Sequence, residues 1–338
     1  MTTMDMGHHS HRRSTASTRS LTVALVGNPN TGKSTLFSAL SGIPARIGNY
    51  PGVTVEKKIG RYVDGDGTVV LIDLPGTYSM AARTADEKVS VDVLLGLQQN
   101  APSPDVVVVI VDATNLERNL YLFSQVLELG KPTILVLNMW DRVQAEGIPI
   151  DVPELERRLG IPVIPCSASR KQGVEALRKA IREAKPPPAS TRSPLGEPFE
   201  QAVEALNEWL EEHAPGGRRP PFLVQRLILD VDGAIERSLV SDPQFGPALQ
   251  QQLQQIRHRL AEQNLRVPMA ETRLRYKWIR ELLDGVLQVP ASTGRTLSDV
   301  VDHVLTHRFW GFAVFLLVMF LVFQGITWGS SWMMDWIT

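Results

Sequence analysis

Apolar runs of strand length recur through the first half of the chain, at residues 21–26, 68–72, 106–111, 133–137 and 162–166. The third, Val106-Val107-Val108-Val109-Ile110-Val111, has no polar break, as expected of a strand covered on both faces. Segments of helical period separate the runs, beginning with Leu36-Phe37-Ser38-Ala39-Leu40. Alternating strand and helix over residues 20–185 predicts an α/β fold, a doubly wound sheet with helices on both faces. In that architecture ligand loops gather at the carboxyl ends of the strands.

The pattern then changes. Residues 186–198, opening with Pro186-Pro187-Pro188, read as a stiff proline-rich linker. Strand runs vanish over residues 199–290, where 199–212, 248–264 and 272–287 read as helices of a small all-α domain with solvated charged faces. Residues 291–308 follow as an amphipathic interfacial helix, with Leu297, Val300, Val301, Val304 and Leu305 on one face. Residues 309–334 carry no charge and are dense in Phe, Leu and Val. About 20 helical residues at about 1.5 Å each cross a hydrocarbon core, so this stretch reads as one transmembrane helix, with a buried helix of a soluble fold as the alternative. Trp310 at one end and Trp328, Trp332 and Trp336 at the other are placed like an interfacial belt. Arg273, Arg275, Lys277, Arg280, Arg295 and Arg308 precede the span and only Asp335 lies near its far end, which keeps the preceding domains cytoplasmic, at the inner (plasma) membrane.

Composition narrows the picture further. A length of 338 residues accommodates two domains, and a net charge of −1 gives no global electrostatic reason to bind nucleic acid. The single cysteine, Cys166, excludes an internal disulfide and reads as a small core residue. Residues 1–19 are polar, a disordered tail without a secretory signal; His8, His9 and His11 within it fit either an unstructured extension or a metal site. His303 and His307, four apart with Asp299 and Asp302 nearby, read as an interfacial pair or as metal ligands.

Four motifs follow the predicted strands in order. Gly27-Asn28-Pro29-Asn30-Thr31-Gly32-Lys33-Ser34-Thr35 is a complete phosphate-binding loop between a strand and a helix. Its backbone N–H groups and the helix N-terminus face phosphate, Lys33 reaches the β/γ-phosphates and the Ser34 hydroxyl ligates Mg²⁺. In Asp73-Leu74-Pro75-Gly76, Asp73 is placed to hold Mg²⁺ and the Gly76 N–H to sense the γ-phosphate. Asn138-Met139-Trp140-Asp141 names the base, since a carboxylate at Asp141 accepts from two guanine donors that adenine lacks. Met139 stands where this signature commonly has lysine, and Ser167-Ala168 suits the loop whose N–H meets the guanine oxygen. Together these imply GTP/GDP with Mg²⁺. Any one of them alone would pass for an ordinary turn.

These motifs, with Gly48-Asn49-Tyr50-Pro51-Gly52-Val53-Thr54-Val55-Glu56, Arg275-Tyr276-Lys277-Trp278-Ile279 and Leu305-Thr306-His307-Arg308, resemble FeoB, the bacterial ferrous iron transport protein B family. The resemblance covers nearly all of residues 20–338. It implies a P-loop GTPase domain, a helical spacer with a dissociation-inhibitor-like role, and a multi-helix Fe²⁺ permease whose helices are largely absent from these residues. Partners implied are GTP, Fe²⁺ through that permease, the lipid bilayer, and either small Feo accessory proteins or a second copy; nucleic acid is not among them. Lys33, Thr54 and Gly76 would carry catalysis, with Thr54 as the switch residue on Mg²⁺ and γ-phosphate. Thr77 occupies the place often held by a water-orienting glutamine, so intrinsic hydrolysis is expected to be slow. The resemblance supplies K⁺ as the remedy, coordinated by Asn30 and the carbonyls of Gly48 and Tyr50. The competing readings are a potassium-activated GTPase of the ribosome or tRNA-modification kind, and a membrane-tethered signalling switch without transport.

Overall fold

The computed structural model describes residues 20–42, 46–50, 55–65, 67–81, 84–98, 102–188, 194–214, 217–287, 301 and 305–337. Seven strands, β1 (Ser20–Gly27), β2 (Arg46–Asn49), β3 (Glu56–Asp64), β4 (Gly67–Asp73), β5 (Val106–Asp112), β6 (Thr133–Asn138) and β7 (Val163–Pro165), form one sheet in the order β2-β3-β4-β1-β5-β6-β7. From β4 to β7 every pairing is parallel, whereas β3 runs antiparallel to both β4 and β2. Strand order reverses at β1, whose neighbours are β4 and β5, so the crevice for a ligand opens beyond the carboxyl end of β1.

Alternation along the central strands explains the unbroken apolar runs. Val23 and Leu25 of β1 pack with Val106, Val108 and Ile110 of β5 beneath α1 (Lys33–Ser41) and α6 (Val174–Glu183). Ala24 and Val26 point the other way, with Val107 and Val109, under α2 (Ala85–Leu94), α3 (Leu116–Leu127) and α5 (Val152–Leu159). Both faces are covered, so both need apolar side chains. The antiparallel β2–β3 edge is absent from the sequence reading. Its strand Glu56-Lys57-Lys58-Ile59-Gly60-Arg61-Tyr62-Val63-Asp64 carries charge at the margin of the sheet and therefore lacks an apolar run.

Beyond the proline-rich stretch come α7 (Glu197–His213), α8 (Pro221–Leu229), α9 (Ala234–Val240), α10 (Gly246–Glu262) and α11 (Met269–Leu283). The three longest match the expected helices within a few residues. The short α8 and α9 were not anticipated, because each offers too few turns for a clear period. A core of Phe199, Leu206, Leu210, Leu227, Leu249 and Leu253 holds this half together. Its last helix leaves that core: Ile279, Leu282 and Leu283 of α11, with Phe222 of α8, join the apolar layer under α3. Residues through Gln288 accordingly form one compact unit.

Charge as well as oil joins the two halves. Arg275, fully buried, places Nη2 2.6 Å from Glu128 and Nε 2.9 Å from Glu271, and donates from Nη1 to Ser124 Oγ at 3.2 Å. Arg226 Nη1 reaches the same Glu271 at 2.7 Å and also pairs with Asp230. Burial pushes the Glu271 carboxyl up, but Arg226 and Arg275 outweigh it and hold it at about 2.

The second unit, residues 289–338, contains α12 (Trp310–Ile337), a helix of 28 residues. Its large apolar side chains from Phe312 to Phe323 are exposed. Among the described residues no helix is long and apolar enough to cross a membrane, so the expected span over 309–334 is not shown. The expected tail 1–19 with His8, His9 and His11 lies outside the described residues, as do Asp299, Asp302, His303 and most of the expected amphipathic helix. Among the described residues no group of three or more His, Cys, Asp or Glu is placed to hold a metal.

Arg275→Met leaves Glu128 and Glu271 short of a buried partner, and the expected loss is about 3–5 kcal/mol of unfolding free energy. Urea titration followed by circular dichroism checks this; a loss no larger than that of an exposed pair would show the buried network to be incidental.

Candidate nucleotide-binding site

The loop from Gly27 to Lys33 joins β1 to α1 and leaves little room for side chains along its backbone. A Cβ on Gly27 would lie 2.3 Å from the Ile110 carbonyl oxygen. Gly32 has φ +82°, and a Cβ there would meet Asn138 Nδ2 at 2.2 Å. Both positions therefore require glycine, one for approach and one for handedness as well. Asn30 also turns left-handed, at φ 65°, and its side chain is exposed. Asn28 and Thr31 are buried, and the Thr31 hydroxyl donates to the Asn28 carbonyl at 2.9 Å, bracing the curl from inside.

At the lip of this loop, two residues of α1 converge on the end of β4. Lys33 Nζ stands 3.1 Å from Asp73 Oδ1, and the Ser34 hydroxyl donates to Asp73 Oδ2 at 3.2 Å. A hydroxyl and a carboxylate oxygen side by side are a hard donor set suited to Mg²⁺. The ammonium resting on that carboxylate already stands where a cation would be welcome. A cavity of about 270 Å³ opens here, lined by Lys33, Ser34, Lys58, Asp73, Pro75 and Asp86. Lys58 was not singled out from the sequence; it sits opposite Asp73 in the β3–β4 register, a neighbourhood that only pairing reveals.

Gly76 lies against Pro29, where a Cβ would approach the Pro29 nitrogen to 3.1 Å, and Thr77 N–H donates to the Gly27 carbonyl at 3.2 Å. The segment after β4 is thus laid on the phosphate loop. Thr77 is fully buried, with its hydroxyl given to the Ser79 carbonyl at 2.7 Å. That side chain turns inward.

The loops after β6 and β7, expected to read the base, are stitched to the phosphate loop by Asn138. Its Nδ2 donates to the Thr31 carbonyl at 2.8 Å, and its Oδ1 accepts from Ala168 N–H at 3.1 Å. Trp140 N–H donates to the Cys166 carbonyl at 3.0 Å. The Ser167 hydroxyl donates to Asp141 Oδ1 at 2.7 Å, and Arg170 Nε lies 3.4 Å from the other oxygen. That hydroxyl contact foremost, with Arg170 in support, holds the Asp141 carboxyl below the usual carboxylate range. Asp141 is therefore an ionised acceptor of fixed orientation. Met139 adopts φ 61°, unusual for a side chain with a Cβ, at the start of α4 (Trp140–Glu146).

The structure brings Gly27, Asn28, Thr31, Gly32, Lys33, Ser34, Asp73, Gly76, Asn138, Asp141, Ser167 and Ala168 to one end of the sheet. Thr35 follows Ser34 in the first turn of α1. Gly48 pairs with Lys57 in the edge strand β2, and Tyr50 is buried with its N–H on the Val55 carbonyl at 2.9 Å. Thr54 lies outside the described residues. Cys166 is buried, as expected, and burial pushes its thiol up to about 12, so it behaves as an inert core residue.

The family profile described as ferrous iron transport protein B matches residues 21–181. The Fe(2+) transporter FeoB of Escherichia coli is 35% identical over 312 residues, covering 90% of this chain and 38% of that protein; the counterpart in Shigella flexneri matches equally. The chain thus spans about 38% of the length of these curated relatives. Among solved structures, the cytosolic domain of L. pneumophila FeoB is 32% identical with a TM-score of 0.64, covering 79% of this chain and 100% of that one. An S. thermophilus NFeoB mutant bound to mGDP is 32% identical with a TM-score of 0.66, covering 79% of this chain and 100% of that one.

Asn138→Ala removes the tie between three loops and strands Ala168 N–H, so unfolding free energy is expected to fall by about 1–3 kcal/mol. Denaturant melts of the two proteins measure it; equal midpoints would mean the loops hold their places without this amide.

Proposed function

The chain belongs to the ferrous iron transport protein B family, and on that footing we propose that its first unit binds and hydrolyses GTP to control a ferrous iron transporter. The observation that carries the reading is Asp141, kept ionised and aimed by Ser167, on a loop that Asn138 ties to the phosphate loop. One rigid frame then measures both ends of a guanine nucleotide. Adenine lacks the two donors that guanine would bring to the Asp141 carboxylate, so it forgoes those bonds while still displacing water from the acceptor.

The chain's own groups divide the work. The N–H groups from Asn30 to Thr35 and the N-terminus of α1 face the phosphates. Lys33 exchanges Asp73 for phosphate oxygens. Ser34 and Asp73 would hold Mg²⁺, with Thr54 joining them in the triphosphate state; the ion supplies charge neutralisation at the phosphates. Gly76, packed on Pro29, presents its N–H toward the γ-phosphate. Thr77 is committed to Ser79 and leaves water orientation to backbone groups, which supports slow intrinsic hydrolysis. Asn30, exposed and left-handed at the loop crest, offers a neutral amide oxygen suited to K⁺, with the Gly48 and Tyr50 carbonyls as its partners. The K⁺ would supply positive charge beside the phosphates.

Residues 309–334 are proposed to enter the membrane, supported by their freedom from charge, the exposed apolar face of α12 and the flanking tryptophans. The G domain then lies on the cytoplasmic side of the inner membrane, where the arginine-rich flank keeps it. Fe²⁺ is the cargo of the larger assembly, and its path needs more helices than one. Small accessory Feo proteins or self-association complete the proposed partners.

Calorimetry of the chain with GDP and ADP tests the base assignment. GDP is expected to bind and ADP to bind at least about 10²-fold more weakly. Asp141→Asn is expected to invert the donor pattern and shift preference to xanthosine nucleotides; equal affinity for guanine and adenine in the parent protein would end the GTP reading. Hydrolysis is expected to run faster in KCl than in NaCl, and Asn30→Ala to abolish the difference. Identical rates in both salts would remove K⁺ while leaving guanine recognition standing.

A further inference from the structure

We infer that Gln125 is a positioning residue for the nucleotide site, tying the segment that follows Gly76 to the buried charges of the helical half. Gln125 lies on α3, is fully buried, and uses both ends of its amide. Its Oε1 accepts from Met80 N–H at 2.7 Å and from the Ser79 hydroxyl at 3.1 Å. Its Nε2 donates to Glu271 Oε1 at 2.8 Å. Glu271 is in turn held by Arg226 and Arg275, at 2.7 and 2.9 Å. Arg275 is locked again to Glu128 at 2.6 Å.

The other end of the segment rests on the phosphate loop. Thr77 N–H donates to the Gly27 carbonyl at 3.2 Å, and the Thr77 hydroxyl to the Ser79 carbonyl at 2.7 Å. Ser90 of α2 adds a bond from its hydroxyl to the Pro75 carbonyl at 3.0 Å. Residues 76–80 are therefore a short strap with one end on the nucleotide loop and the other on Gln125. Moving Gly76 toward a γ-phosphate must either carry α3 along or break the bonds at Met80 and Ser79.

Only an amide side chain satisfies both ends. Leucine or methionine would strand the Met80 N–H, and glutamate would set a second carboxylate against Glu271. A buried glutamine serving only the core would produce the same contacts, and the two roles part in their consequences. A core role lowers stability without changing the rate per folded molecule. A positioning role changes how the site discriminates nucleotide states, and by linkage the nucleotide state changes the tie. The kinetic arm of this inference rests on the GTP reading above; the exchange arm does not.

The test uses the whole 338-residue chain and Gln125→Met. Hydrogen exchange at the Met80 amide is expected to speed up about tenfold. Turnover per folded molecule is expected to fall about three- to tenfold with KM within about twofold, because a loosened Gly76 is less often in place. Unchanged Met80 exchange in a folded variant would refute the tie. Faster exchange with parental turnover, and with a parental ratio of GDP to GTP-analogue affinity, would reduce Gln125 to a core hydrogen bond. If Gln125→Met does not fold, Ser79→Ala must move both readouts in the same direction by a smaller factor, and no movement in either overturns the proposal. If the parent protein hydrolyses no GTP, the nucleotide reading fails, while Met80 exchange still decides whether the tie exists.

Discussion

The amide of Asn138 spans from the phosphate loop to the loop after β7, and the geometry of the site follows from that one side chain. Its donor end rests on the Thr31 carbonyl and its acceptor end on Ala168 N–H. Gly32 has no Cβ because Asn138 Nδ2 occupies the space where one would go. With the two loops fixed to each other, the distance from Lys33 to Asp141 is set by the sheet and not by flexible segments. A ligand that bridges them is measured as a unit, which is how a site of few polar groups gains selectivity. The parallel strands β1 and β6 supply the rigid base, each buried among neighbours on both faces.

Much of this was legible beforehand, for a physical reason. The central strands are covered on both faces and therefore announce themselves as apolar runs, and the ligand loops follow their ends by the geometry of parallel sheets. Gly27, Gly32, Lys33, Ser34, Asp73, Asn138 and Asp141 could be named because the chemistry demands those residue types at those spacings. The β2–β3 edge was not legible. Glu56, Lys57 and Lys58 lie where solvent reaches one side; Glu56 and Lys57 pair with β2 and Lys58 with the end of β4, and neither β2 nor β3 has an apolar run to announce it. Asn138 was read as the first residue of the motif that names the base, and its task as a brace depends on Thr31, 107 residues earlier. Long-range polar contacts of this sort leave no periodicity to detect.

The proline-rich stretch suggested two bodies connected by a spacer. The helical half instead returns to the sheet through α11, whose Ile279, Leu282 and Leu283 share the apolar layer with α3. Arg275 shows why pattern reading missed this. On the sequence it counts toward a basic flank, while in the fold it is fully buried between Glu128 and Glu271. Apolar contact alone would let α11 slide on α3. A buried guanidinium with two carboxylates tolerates few registers, because most displacements leave a charge unpaired.

Lys33 and Asp73 set a last constraint on how the site works. The Lys33 ammonium neutralises the Asp73 carboxylate at 3.1 Å, with Ser34 alongside. Releasing Lys33 to phosphate without a replacement would leave Asp73 beside several new negative charges. Delivering a divalent cation to Asp73 without phosphate would set it against Lys33. Either ligand alone meets like charge, whereas the two together exchange one ion pair for two. If nucleotide and Mg²⁺ enter as proposed, the placement of these three side chains favours their entering together. The strap from Gly76 to Met80 lies over the same loop, tied at one end to the Gly27 carbonyl and at the other to Gln125, which is why the proposed positioning role falls to it.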